Sequence, residues 1–118
     1  MERRILRCGP VVIFRCLARG KWPIAYVSRN VTEQFGYAPE TFTRGAMSYA
    51  DIVHSDDWPR VANCAANCSQ RGDETLSREY RIVAANGASH WVHDVVLVIR
   101  DRFGAPIRYH GYVVAFTA

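Results

Sequence analysis

One lysine, Lys21, stands against fourteen arginines, and the 118-residue chain has only two methionines. No apolar run approaches the roughly 18 residues that cross a bilayer. The first residues, Met1 to Arg7, are too short and too charged for the apolar part of a secretory signal. A cytoplasmic module without membrane contact is therefore expected. No C-x-x-C pair occurs among Cys8, Cys16, Cys64 and Cys68, so neither a disulfide framework nor a zinc knuckle is expected. The arginines are scattered apart from Arg3, Arg4 and Arg7. The formal charge of +4 therefore reads as a solvated surface, not as a nucleic-acid face. No repeat, linker or low-complexity stretch is present.

What is present is one core's worth of chain. Apolar residues make up 49% and charged residues 22%, the balance of a single globular domain. Residues 1–10 read as a flanking segment, with a short helix over Glu2 to Cys8 that Gly9-Pro10 stops. Residues 11–118 read as one domain.

Val11 to Leu17 is β-branched and aromatic and predicts a strand. The turn Arg19 to Pro23 leads to a second strand, Ile24 to Ser28. Asn30 or Thr32 can cap a short helix that Gly36 ends. Further single turns of helix fit Pro39 to Phe42 and Tyr49 to Val53. A longer helix follows, with Asp56 as N-cap, Pro59 at the third helical position and Gly72 as its stop. On it Val61, Cys64, Ala65 and Cys68 form an apolar stripe, with Trp58 one turn earlier.

The C-terminal third predicts three long strands. Glu79 to Val83 and His90 to Arg100 flank Asn86-Gly87, the strongest short hairpin signal because both positions tolerate positive φ. Asp101 to Gly104 makes the next turn, and Ile107 to Phe116 the last strand. The order β-β-α-α-α-α-β-β-β predicts an α+β fold with one antiparallel sheet.

Three motifs in this order resemble the PAS family. They are Asn30 to Tyr37 with Pro39 to Phe42, then Asp51 to Val61, then Glu79 to Ile82 with Asn86-Gly87 and His90-Trp91-Val92 (the PAC portion). Asp101 to Gly111 fits the end of the same pattern. The resemblance covers nearly the whole chain from Val12 onward. Ser55 stands where the family has proline, and Ala115 stands near the place of a usual aspartate.

The resemblance implies a five-stranded sheet in the order 2-1-5-4-3, with short helices and one longer helix on one face. It implies a sensory module of a larger signalling protein of the histidine kinase or diguanylate cyclase type, with a downstream output domain and no catalysis of its own. It also implies a pocket between sheet and long helix. Candidate lining residues are Asn30, Phe35, Tyr37, Ile52, Trp58, Val61, Cys64, Cys68, Tyr80 and Trp91. Filling of that space by side chains is the leading expectation, with an unidentified small-molecule ligand next. Flavin stays open, although the family's photoactive cysteine motif is absent. Haem is disfavoured, because the long helix carries no histidine.

Other chemistry is thinner. His54, Ser55, Asp56 and Asp57 are adjacent in one helix-entry turn and point apart, which argues against a catalytic triad. Both faces of the strand from Trp91 to Ile99 are apolar. One face therefore needs a cover, and a homodimer using Ile5, Leu6, Val96 and Val98 is expected. A small free-standing α+β enzyme is the alternative of another class.

Overall fold

The computed structural model describes residues 9–116. Helix Glu2 to Cys8 and the contacts expected of Ile5 and Leu6 lie outside the described residues. Five strands form one antiparallel sheet: β1 (Val11–Leu17), β2 (Ile24–Val27), β3 (Thr75–Val83), β4 (Ser89–Arg100) and β5 (Pro106–Ala115). Their order is β2-β1-β5-β4-β3, as the resemblance implied. Between β2 and β3 run α1 (Val31–Phe35), α2 (Pro39–Thr43), α3 (Tyr49–Ile52) and α4 (Trp58–Arg71). Among the described residues no helix is long and apolar enough to cross a membrane.

The first three helices span at most five residues each. Pieces this short do not hold themselves together in water. Burial does it: Val31, Phe42 and Ile52 are almost fully enclosed, each contributing roughly 1.5–3 kcal/mol. Helix α3 also begins on the β1–β2 turn. The Tyr49 and Ala50 N–H groups donate to the Trp22 and Lys21 carbonyls at 3.0 and 3.1 Å. Trp22 holds a left-handed backbone, φ 61°, a conformation that strains a bulky residue. Its ring offsets that strain, contacting Tyr49, Trp58 and Tyr109 at centroid distances of 6.1, 4.9 and 4.9 Å.

Two expected caps and turns differ. The N-cap of α4 is Asp57, not Asp56, so Pro59 falls at the second helical position. A turn comes first, in which the Asp57 and Trp58 N–H groups both donate to the His54 carbonyl at 2.9 and 3.0 Å, and the Asp57 carboxylate goes to Arg81 on β3 instead of capping the helix. The β3–β4 turn is a five-residue loop, closed by the Ala84 N–H to the Ala88 carbonyl at 2.8 Å. Gly87 alone in it takes positive φ, and the Asn86 side chain accepts the Ala88 N–H.

The faces of β4 also differ from expectation. Val92, Asp94, Val96 and Val98 point inward, while Trp91 and Leu97 point out. Val96 and Val98 are buried with Cys68 and Leu76 and are not surface residues. Both rows are apolar enough in sequence that neither declares itself the inner one. Arg78 lies directly opposite Asp94 in the β3–β4 register and balances its charge inside.

Candidate functional site

The inner face of the sheet carries a polar cluster among apolar walls. Strand alternation puts Arg78 and Tyr80 of β3 and Asp94 of β4 on the core side. Arg78 Nε and Nη2 both donate to Asp94 Oδ2, at 3.3 and 3.1 Å. Its Nη1 donates to the Val61 carbonyl on α4 at 2.8 Å. Tyr80 OH donates to the same Asp94 Oδ2 at 2.7 Å. Each hydroxyl has one hydrogen. Tyr49 OH must therefore be the donor in its 2.5 Å contact with Tyr80 OH. The result is a directed chain, Tyr49 to Tyr80 to Asp94, linking α3 to β3 and β4.

Burial governs the titration of this cluster. It pushes the Asp94 carboxyl above its ordinary value, with Arg78 pulling the other way. It drives both Tyr49 and Tyr80 well up, so both stay protonated. Cys16 is pushed up to about 12, first by burial and then by the Asp94 charge. A thiol so held is neither a nucleophile nor a ready metal ligand. Among the described residues no group of His, Cys, Asp and Glu could hold a metal ion.

Beside Asp94 lies a small cavity walled by Phe14, Cys16, Trp22, Tyr49 and Tyr109, with about 20 Å³ open to the centre of a water molecule. Phe14 packs edge-on to Phe42 and Tyr49 and fills much of the space under the helices. Gly111 stands in the same wall, where a Cβ would lie 2.6 Å from the Val95 carbonyl. This cavity has room for about one water. A tricyclic flavin or a haem does not fit it, and no histidine lines it.

None of the ten pocket residues expected from sequence lines this cavity. Tyr80 comes nearest, through Asp94. Asn30 is fully buried and fixes the entry to β1, its Nδ2 donating to the Gly9 and Val11 carbonyls. Phe35 and Tyr37 belong to the α1 end: Phe35 meets His90 edge-on, and Tyr37 OH donates to the Val83 carbonyl. Ile52 and Val61 are packed solid. Trp58 is half-buried against Trp22. Cys64 turns to the outer side of α4, beside Arg60, Asn67 and Arg71, because the helix presents Val61, Ala65 and Cys68 to the sheet. Cys68 packs in the satellite cluster, its thiol near the Asp73 carbonyl at 3.6 Å. Trp91 is on the opposite face of the sheet, 37% exposed, under Arg81.

Arg78, Asp94, Tyr49 and Cys16 were not anticipated. The available signal was the period of β3. Leu76, Tyr80 and Ile82 share a parity with Arg78, and a charge in an apolar row asks for a partner across the strand.

The helix-entry turn is local, as its spacing suggested. His54 Nδ1 accepts the Asp56 N–H at 3.1 Å. Asp57 instead forms a fork with Arg81. Its Oδ1 accepts Nη2 at 2.8 Å, and its Oδ2 accepts Nε at 2.9 Å and the backbone N–H at 2.8 Å. These bonds, led by the Arg81 side chain, hold its carboxyl down to about 2.

Comparison with known proteins sets this geometry in context. The family profile described as the PAS fold matches residues 24–113. The chain is 35% identical over 115 residues to a methyl sulfide methyltransferase-associated sensor of Methanosarcina acetivorans. That match covers 98% of this chain but 11% of the relative. Among solved structures, the PAS domain of a protein from Colwellia psychrerythraea superposes with TM-score 0.79 at 12% identity, covering 98% of this chain and 94% of that one. The N-terminal domain of a diguanylate cyclase with PAS/PAC sensor from Marinobacter aquaeolei superposes with TM-score 0.71 at 20% identity, covering 89% and 94%.

Proposed function

The chain belongs to the PAS fold family, and from that premise we propose that it is a sensory or regulatory module of a larger signal-transduction protein. It relays a change of its own state to an output domain of the histidine kinase or diguanylate cyclase type in the same polypeptide. It does no chemistry itself and works in the cytoplasm. Its state is whether a second copy of the chain covers the outer face of the sheet.

The observation that supports this reading is that outer face. Trp91, Leu97, Tyr112 and Phe116 are each more than a third exposed there, a cluster of large apolar groups that a lone domain rarely leaves in water. Arg15 and Arg108 lie toward one edge and end of this face, and Glu79 toward the other edge. A two-fold related copy can set these opposite charges against each other. The contacts come from Trp91 and Leu97, not from Val96 and Val98.

Sedimentation equilibrium of the purified chain tests this. We expect a dimer at micromolar concentration, and a monomer when Leu97→Asp places a charge in the face. A native chain that stays monomeric at high micromolar concentration would overturn the reading.

A further inference from the structure

We propose that self-association of this domain is controlled by a proton, and that His110 on β5 is the group that takes it. The outer face of the sheet pairs with a second copy while His110 is neutral, and the copies part when it is charged. The proposal rests on the self-association reading above and adds the residue that regulates the face.

Strand β5 runs through the middle of the sheet, between β1 and β4. Its inward row includes Tyr109, Gly111 and Val113, which line the cavity beside Asp94. Alternation therefore puts Arg108, His110 and Tyr112 on the outer side. In the register His110 stands between Arg15 of β1 and Leu97 of β4. It is thus set among the exposed apolar groups Leu97 and Tyr112 that a second copy would cover.

The ring is only partly buried, but its Nε2 is enclosed and has no hydrogen-bond partner among the described residues. A neutral imidazole can keep its one hydrogen on Nδ1 and leave Nε2 bare. An imidazolium carries N–H at both nitrogens. Protonation in place would bury a charged donor with nothing to accept it, which is costly.

The neighbours add to that cost. Arg15 faces the ring from β1, and Arg108 lies two residues back on β5. Leu97 on β4 and Tyr112 on β5 bring no negative charge. Among the described residues, the outer rows of β1, β4 and β5 hold no carboxylate at all. Burial first, then Arg15 and Arg108, hold the imidazole below its ordinary 6.5.

In a single chain a charged ring can turn toward water. Beneath a second copy it cannot. The dimer therefore binds fewer protons than two separate chains, and acid favours the separate chains. Association is at full strength above the ordinary imidazole value of 6.5 and weakens as pH falls below it. Glu79 of the second copy does not reverse the sign, because that one carboxylate already meets two guanidinium groups.

His93 shares the face but not the role. Its Nδ1 lies 3.5 Å from Glu79 Oε2, and its Nε2 is 3.1 Å from Ser77 Oγ. A proton on His93 meets a carboxylate, whereas a proton on His110 meets two cations.

The test is sedimentation equilibrium of the purified chain at about pH 7.5 and about pH 5.5. The dimer Kd of the parent is expected to rise at least about tenfold at the lower pH. His110→Gln, which takes up no proton in this range, is expected to change by less than about twofold. His93→Gln is expected to respond like the parent. A second readout needs no variant: the NMR titration midpoint of the His110 ring should be lower in a concentrated, dimeric sample than in a dilute one. A dimer that is equally tight or tighter in acid would overturn the proposal and leave the self-association reading standing. So would His110→Gln that loosens in acid as the parent does, or a ring midpoint that ignores concentration. A chain that is monomeric at both pH values removes the self-association reading, and this proposal with it.

Discussion

Strand β3 carries two arginine–aspartate pairs, three residues apart, that behave in opposite ways. On the outer side Arg81 forks across both oxygens of Asp57, and a backbone N–H adds a third bond. The Asp57 carboxyl is held down to about 2 as a result. On the inner side Arg78 reaches a single oxygen of Asp94, in a site closed to water. There burial outweighs the charge, and the Asp94 carboxyl moves up. The difference teaches that an ion pair is not a fixed quantity. Fork geometry at a wetted rim favours the charge, and a one-sided pair in a dry interior tolerates it.

The largest effect should come from breaking the inner pair on one side only. Arg78→Met leaves a buried charge without its partner and should destabilise the fold by about 3–5 kcal/mol. The double change Arg78→Met with Asp94→Leu should recover most of that loss. Urea denaturation of the two variants measures both. If the double variant is as weak as the single one, the pair adds stability beyond mutual neutralisation.

The outer pair comes next, and its signature is in pH. Asp57 titrates at about 2 folded against an ordinary 3.8. The pair's stabilisation is therefore fully present above about pH 4, and it is lost as pH falls toward 2. Asp57→Asn should cost about 2 kcal/mol at neutral pH and flatten the acid limb of the stability curve. Asp94 has the reverse sign. Its raised carboxyl makes protonation favour the fold, so its ionisation cost appears as pH rises and is relieved in acid. Asp94→Asn should therefore leave the Asp57 acid limb in place. Chemical denaturation from pH 2 to 7 separates the two.

Smaller effects mark the surfaces. Trp91→Ala removes the ring beneath Arg81 and should cost about 0.5–1 kcal/mol in the monomer, while weakening self-association more clearly. Cys64→Ser, on the outer side of α4, should change stability by less than about 0.5 kcal/mol. Thermal melts check both.

Much of the architecture could be read from the chain, because turn residues and apolar periods are local. Gly36 and Gly72 end their helices in the left-handed conformation at φ 82° and 75°. The motif order around Glu79-Tyr80-Arg81 and His90-Trp91 carried the strand order. The site was far less legible, since it depends on which parity of β4 faces inward. Both rows were apolar enough, and only the pairing of Asp94 with Arg78 across the sheet decides between them. Trp22 was hidden for a similar reason. It sits in a turn segment, and nothing local says that its ring swings under α3 and α4. Cys64 was misplaced because a stripe read at i, i+3, i+4 and i+7 is wider than the face that α4 buries.

The central claim is that this PAS domain works with an interior filled by its own side chains around the Arg78–Asp94 pair. An absorbance scan of the purified protein from about 300 to 600 nm, with mass spectrometry of the denatured supernatant, tests it most directly. The account predicts no band in that range and no released flavin or haem. A flavin or haem band, with the matching mass in the supernatant, would contradict it.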